Sequence, residues 1–158
     1  MRPGTLRPMP DRTIPTPVGP LTLTETVGAL TAVTWGGDGS DDTPLLRQAE
    51  AQLTAYFAGT RQDFDLPLRV TGSDLQRDVC AAMRAIPFGE TRTYGDLAKE
   101  LNVPAQAIGQ ACGGNPLPVI IPCHRVLAAA SLGGFSGGTG IETKVALLKH
   151  EGAASLLL

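Results

Sequence analysis

The sequence predicts an α+β fold in two parts, a small sheet-and-helix unit followed by a mainly helical one. Two observations carry this expectation. Residues 21–35 alternate β-branched and apolar side chains around Gly28, the period of a half-buried hairpin. From Gly72 onward the texture changes to short periodic stretches, several opened by a capping residue or a proline. A chain of 158 residues, 42% hydrophobic and 18% charged, suits one compact unit or two very small ones with a real core.

The N-terminal stretch through Pro17 holds Pro3, Pro8, Pro10, Pro15 and Pro17 among Arg2, Arg7 and Arg12. It lacks the apolar segment of a secretory signal, and residues 1–15 are expected to be a flexible lead-in. Residues 16–70 form the first unit. Leu21–Val27 and Ala29–Trp35 read as the hairpin, and Gly36–Asp42 as a loop. Thr43 and Pro44 open a helix as N-cap and first-turn proline, with Leu45, Leu46, Ala49, Leu53, Tyr56 and Phe57 on one face and Gly59 closing it. Phe64–Val70 reads as a further strand.

Residues 72–158 form the second unit. Ser73-Asp74-Leu75-Gln76 has capping-box spacing and starts a helix with Leu75, Val79, Ala82 and Met83 inward, ended by Pro87-Phe88-Gly89. Thr93 caps a short helix through Leu101, and Pro104 starts another that ends near Cys112 before Gly113-Gly114. Joined by Asn102-Val103, this pair is a helix-turn-helix candidate. Pro116–Leu127 reads as extended and apolar, which places Cys123 on a buried strand or turn. A last helix, Ile141–His150, packs Ile141, Val145 and Leu148.

Composition excludes several classes. A net charge of −2 gives no sign of nucleic acid, so any DNA-binding surface needs local sorting of its basic groups. No run of eighteen apolar residues exists to span a membrane. Three cysteines, an odd number without a signal peptide, point to a reducing, cytoplasmic setting rather than a disulfide framework. No Cys-x-x-Cys or His/Cys cluster predicts a metal, and nothing calls for a cofactor.

The chemistry gathers at Ile121-Pro122-Cys123-His124-Arg125-Val126. A cysteine becomes a nucleophile when its thiolate is stabilised, and an imidazole backed by a carboxylate is the usual means. The chain has two histidines, His124 beside the thiol and His150 beside Glu151. These residues point to a reactive Cys123.

In order, Ile86-Pro-Phe-Gly-Glu-Thr-Arg-Thr-Tyr-Gly-Asp-Leu-Ala98, Ala107-Ile-Gly109, Asn115-Pro116, Pro122-Cys-His-Arg-Val126, Gly134-Phe-Ser-Gly137 and Glu142-Thr-Lys144 resemble the O6-alkylguanine-DNA alkyltransferases, also called methylated-DNA–protein-cysteine methyltransferases. Thr16–Leu23 resembles the N-terminal, ribonuclease-H-like domain of that family. The likeness spans roughly residues 16–152 and implies direct reversal of DNA damage, without a cofactor and with double-stranded DNA as partner. A monomer would bind the minor groove through its helix-turn-helix and rotate the damaged guanine out of the stack. It would take the alkyl group irreversibly onto its own cysteine, because the O6 carbon cannot be attacked in line within a duplex.

The resemblance assigns Cys123 as acceptor. His124 takes its proton through a water, Glu151 orients and charges that imidazole, and Asn115 braces the turn before the cysteine. Tyr94 donates to the guanine ring. Pro118, Val126, Phe135 and Ser136 line the pocket, with the Cys123 and Val126 carbonyls accepting from the exocyclic amine and the Ser136 backbone contacting O6. Arg125 lies within this substrate-binding block as a buttress of the fold. Ala107 and Gly109 mark the recognition helix. The family's intercalating arginine falls one residue earlier, where this chain has Gln106, which is uncharged and shorter. Phe135 stands where tyrosine is frequent, Cys80 stands where tryptophan is common, and Cys80 and Cys112 read as core fillers. The alternative is a non-catalytic or weakly active alkylguanine-binding protein that recruits other repair. Relatives of that type replace the acceptor, and this chain keeps Cys123.

Overall fold

The computed structural model describes residues 9–129 and 140–153. The chain divides into two compact units between Arg69 and Val70. In the first, β1 (Asp11–Ile14), β2 (Leu21–Thr26) and β3 (Ala29–Trp35) form an antiparallel sheet in that order. The hairpin expected at Gly28 is present. Val27 (φ 46°) and Gly28 (φ 78°) both take the left-handed conformation of a two-residue turn that matches strand twist. α1 (Pro44–Phe57) packs on β1 and β2, with Thr43 Oγ1 accepting from Leu46 N as its cap. Leu21, Leu23, Leu30 and Val33 of the sheet and Leu46, Ala49, Leu53 and Tyr56 of α1 are buried in the core.

Two expectations for this unit fail. Residues 11–14 belong to no flexible lead-in; they are β1, paired with β2 from Asp11↔Thr24 to Ile14↔Leu21. Pro10 and Pro15 bracket the strand, a position prolines tolerate because they interrupt no ladder there. Phe64–Val70 is not a strand. It makes one bridge, Leu30↔Leu68, in which Leu30 N donates to Pro67 O and Arg69 N to Leu30 O. Pro67 has no N–H with which to extend the ladder. Buried Gln52 fastens this segment instead, donating to Asp65 O and accepting from Asp65 N.

The second unit holds α2 (Asp74–Arg84), α3 (Tyr94–Leu101), α4 (Ala105–Gly113) and α5 (Ile141–Glu151). β4 (Arg92–Thr93) and β5 (Val126–Leu127) pair in parallel. Ser73 caps α2 through Gln76 N, but the Gln76 side chain crosses to Ala111 O at 2.8 Å on α4, so it ties helices together. Thr93 and Asp96 form the full capping box of α3. α3 and α4 pack as a helix pair joined through Asn102, whose left-handed φ of 57° makes the corner, and Pro104.

Residues 116–127 are mostly tight turns, not extended chain. A Pro118↔Ile121 bridge closes one turn, and Cys123–Arg125 is a 3-10 turn leading into β5. The inner face of α5 also differs from expectation. Ile141 is 43% exposed and Val145 half-buried, whereas Thr143, Lys144, Leu147, Leu148 and Glu151 are buried. Apolar periodicity misplaces this face because three of its inward side chains are polar.

Candidate active site

Cys123 is 8% exposed at the start of the 3-10 turn. Its N–H donates to Ile121 O at 2.8 Å, and Val126 N donates to Cys123 O, closing the turn. Asn115 braces the preceding segment at both ends: Nδ2 donates to Ile121 O (2.9 Å) and Oδ1 accepts from Leu117 N (3.0 Å). Between them Val119 is buried at φ 71°, a strained conformation for a β-branched residue, held by the Ile121 N to Leu117 O bond. The β4–β5 register, Arg92↔Val126 and Thr93↔Leu127, sets Tyr94 at the first turn of α3 beside the segment that carries the thiol.

Behind the thiol lies a buried charge network. His124 is fully buried, and its Nε2 contacts Glu151 Oε2 at 2.8 Å. Arg125 grips the same carboxylate with two bonds, Nε to Oε1 (2.8 Å) and Nη2 to Oε2 (2.9 Å), while Nη1 donates to Ile86 O. Arg125 thus buttresses Glu151, and its guanidinium lies 5.9 Å over the Phe88 ring. Burial lowers the His124 pKa, opposed by Glu151 and aided by Arg125 and Lys144. The imidazole is therefore neutral at rest; the carboxylate orients it without charging it. A carboxylate only accepts, so Nε2 carries the hydrogen and Nδ1 presents a lone pair. Among the described residues that buried Nδ1 has no hydrogen-bond partner. His150 is elsewhere, edge-on to Phe88.

Burial also raises the Cys123 pKa, offset in part by the Asn115 side chain and by Lys144. The resting group is a thiol that needs a base. Cys80 is buried and Cys112 half-buried, and burial pushes the Cys112 pKa to about 12. Both are inert fillers by comparison, with Cys112 Sγ 3.6 Å from Met83 Sδ.

On the helix pair, Ile108 and Ala111 of α4 are buried, while Gln106 and Gln110 are exposed and Ala107 and Gly109 half-buried. A Cβ at Gly109 or Gly113 would meet nothing within 4 Å, so glycine here leaves the outer face of the helix flat. That face has no Lys or Arg. Pro118 and Val126 are buried near the thiol turn. Phe135 and Ser136 lie outside the described residues. Sequence reasoning passed over one group here. Lys144 is fully buried, donates from Nζ to Val126 O at 2.7 Å, and sits 5.9 Å from the Tyr94 ring centroid. Its sequence signals are its place in the Glu142-Thr-Lys144 block and its position four residues before Leu148 on the apolar side of a helix, and neither gives it a role. Among the described residues no group of three or more His, Cys, Asp and Glu is placed to hold a metal, and no helix is long and apolar enough to cross a membrane.

Fold and site together define a class: a two-unit α+β protein with a helix-turn-helix and a buried cysteine backed by a histidine–carboxylate pair. Residues 11–70 match the family model of the 6-O-methylguanine DNA methyltransferase ribonuclease-like domain, and residues 74–153 match that of its DNA binding domain. The methylated-DNA–protein-cysteine methyltransferase of Mycobacterium tuberculosis is 42% identical over 151 residues, 89% of this chain and 90% of that protein. A crystal structure of the O6-methylguanine methyltransferase of that organism superposes with a TM-score of 0.81 at 38% identity, covering 95% of this chain and 96% of the other. A crystal structure of an M. tuberculosis relative in complex with DNA gives the same TM-score at 43% identity, over 90% and 92% of the two chains. This chain belongs to the methylated-DNA–protein-cysteine methyltransferase family.

Proposed function

We propose that this chain repairs DNA by direct reversal, moving the alkyl group of an O6-alkylguanine irreversibly onto its own Cys123. The observation that carries this reading is the His124 tautomer. Glu151 holds the hydrogen on Nε2, which leaves Nδ1 as a buried lone-pair base one residue from the thiol. The Cys123 proton passes through a water to Nδ1. The sulfur then bonds the alkyl carbon as the carbon–oxygen bond breaks, and the electron pair goes to the guanine. Tyr94 donates its hydroxyl to the guanine ring as that charge develops.

Binding follows from α4. Its flat outer face admits the DNA backbone closely in the minor groove, and Gln106, exposed on its first turn, enters the gap left by the rotated base. The uncharged glutamine makes a neutral bond to the orphaned base where the family has a charge-assisted one. The protein acts as a monomer in the cytoplasm, on the nucleoid, and each molecule acts once because a thioether does not turn over. Intact mass after incubation with an O6-methylguanine duplex tests this. One added methyl localised to Cys123 is expected; repeated turnover, or a methyl elsewhere, would refute it.

A further inference from the structure

α4 has little of its own to hold it. It is nine residues long, with Gly109 inside it, no side-chain bond from its N-cap Pro104, no acidic residue in its first turn and no basic one in its last. Helices this short are marginal without outside support, and an interior glycine weakens them further. Support comes from α2. Gln76, half-buried there, donates from Nε2 to Ala111 O at 2.8 Å, and the same nitrogen reaches Cys80 Sγ at 3.5 Å. Ala111 O belongs to the last turn of α4, where carbonyls run out of helical partners. Its own helix end offers it the Gly114 N–H at 3.2 Å, shared with Gln110 O. A carbonyl only accepts, so the amide nitrogen faces Ala111 O and Oε1 turns to Gly114, where a Cβ would lie 3.0 Å from it. The chain then passes directly to the thiol. Asn115 N donates to Cys112 O, and the Asn115 side chain holds Ile121 O, which also takes the Cys123 N–H. Gln76 therefore grips α4 at the joint between its exposed face and the acceptor turn.

We propose that Gln76 is a positioning residue for DNA engagement: by capping the last turn of α4 from a neighbouring helix, it holds that helix ordered before DNA arrives. This role rests on the reading above, in which α4 meets the duplex. Without the bond the end of α4 frays, and binding must supply the ordering that the free protein otherwise already has. The loss appears as affinity and not as chemistry, because the bound helix is ordered in either case. The acceptor turn is spared. Its ties are the Asn115 side-chain bonds to Ile121 O and Leu117 N and the Val126 N–H on Cys123 O, none of which passes through Gln76.

The test compares wild type with Gln76→Met, which keeps the length and loses the donor, and Gln76→Arg, which restores a donor of greater reach. Gly114→Ala disturbs the same joint from the other side, since its Cβ crowds the Gln76 amide. Amide exchange over residues 110–115, read by mass spectrometry without DNA, should quicken about tenfold in Gln76→Met, near the upper end of what one hydrogen bond contributes. In single-turnover transfer from an O6-methylguanine duplex, the half-saturating concentration should rise about tenfold, with the plateau rate and iodoacetamide labelling of Cys123 within about twofold of wild type. Gly114→Ala should move exchange and half-saturation the same way by about threefold. Gln76→Arg should recover the exchange protection, which its added charge on DNA binding does not confound. Unchanged exchange or unchanged half-saturation in Gln76→Met would overturn the proposal. So would a fall of plateau rate and labelling together, the mark of a core loosened as a whole. If exchange quickens and duplex affinity by anisotropy weakens as expected while wild type accepts no alkyl group, Gln76 still orders α4 for DNA and the alkyl-transfer reading fails alone.

Discussion

Two regions of the second unit handle charge in opposite ways. The outer face of α4 is solvent-facing and carries no charged side chain, only Gln106, Gln110 and small residues. The centre around Cys123 buries Arg125, Lys144 and Glu151 with a neutral imidazole among them. Exposed charges contribute little and are screened by salt, whereas buried ones are strong when satisfied and costly when orphaned. On the proposed reading, the comparison makes access to the damaged base and reaction with it separable. Changes on α4 should alter how a base is reached, and changes at the centre should alter chemistry and folding together.

Four experiments break or sharpen this contrast. The largest effect is expected from Cys123→Ala. Transfer should be abolished with lesion binding kept, since the thiol is the acceptor and a minor contact; gel-shift and methyl-transfer assays on one preparation check it. Residual transfer would mean that Cys123 is not the acceptor.

Glu151→Gln comes next. It removes the carboxylate that fixes the His124 tautomer and leaves the buried Arg125 guanidinium without its charge partner. Transfer should slow by a few tens of fold or more, within the range positioned acid–base groups supply. Unfolding free energy should fall by about 3–5 kcal/mol, as when a buried pair loses one member. Denaturant titration and single-turnover kinetics measure the two. Full stability with slow transfer would show that Arg125 re-pairs.

Gln106→Arg should touch only access. The rate on duplex DNA should rise severalfold and the salt slope steepen by about one phosphate contact, with single-stranded DNA and free base unaffected. An unchanged duplex rate means that Gln106 fills the gap adequately or that Gln110 does so.

The smallest effect concerns pH and stability. Lys144 has a folded pKa of about 8 against an ordinary 10.5. The unfolded chain therefore binds the extra proton between these values, and this group opposes folding below pH 8 and ceases to do so as pH rises toward 10.5. The thiols act oppositely: Cys112, at about 12 when folded, makes stability fall as pH climbs past the ordinary thiol range. The difference between wild type and Lys144→Met isolates the lysine. Wild type should gain on the variant between about pH 8 and 10 in thermal melts. A constant difference would place the ammonium in contact with solvent.

Much of the fold was legible because local rules decide it. The Gly28 turn, the Thr43 and Thr93 caps and the Asn102 corner each depend on a few neighbouring residues, and each stands where the sequence puts it. Errors arose where distant partners decide. β1 hides among prolines and exists because β2 offers it a ladder, and Phe64–Val70 holds its course by a single bridge and by Gln52.

The sequence by itself determined the order of elements, the acceptor candidate and its neighbouring imidazole, because those are carried by residue type and short spacing. The tertiary structure decided the state of that chemistry. Arg125 and Glu151 lie 26 residues apart, and Lys144 reaches Val126 O across 18. Only folding brings these charges within hydrogen-bonding range and strips away water, and burial is the largest cause of the shifted pKa of His124, Cys123 and Lys144.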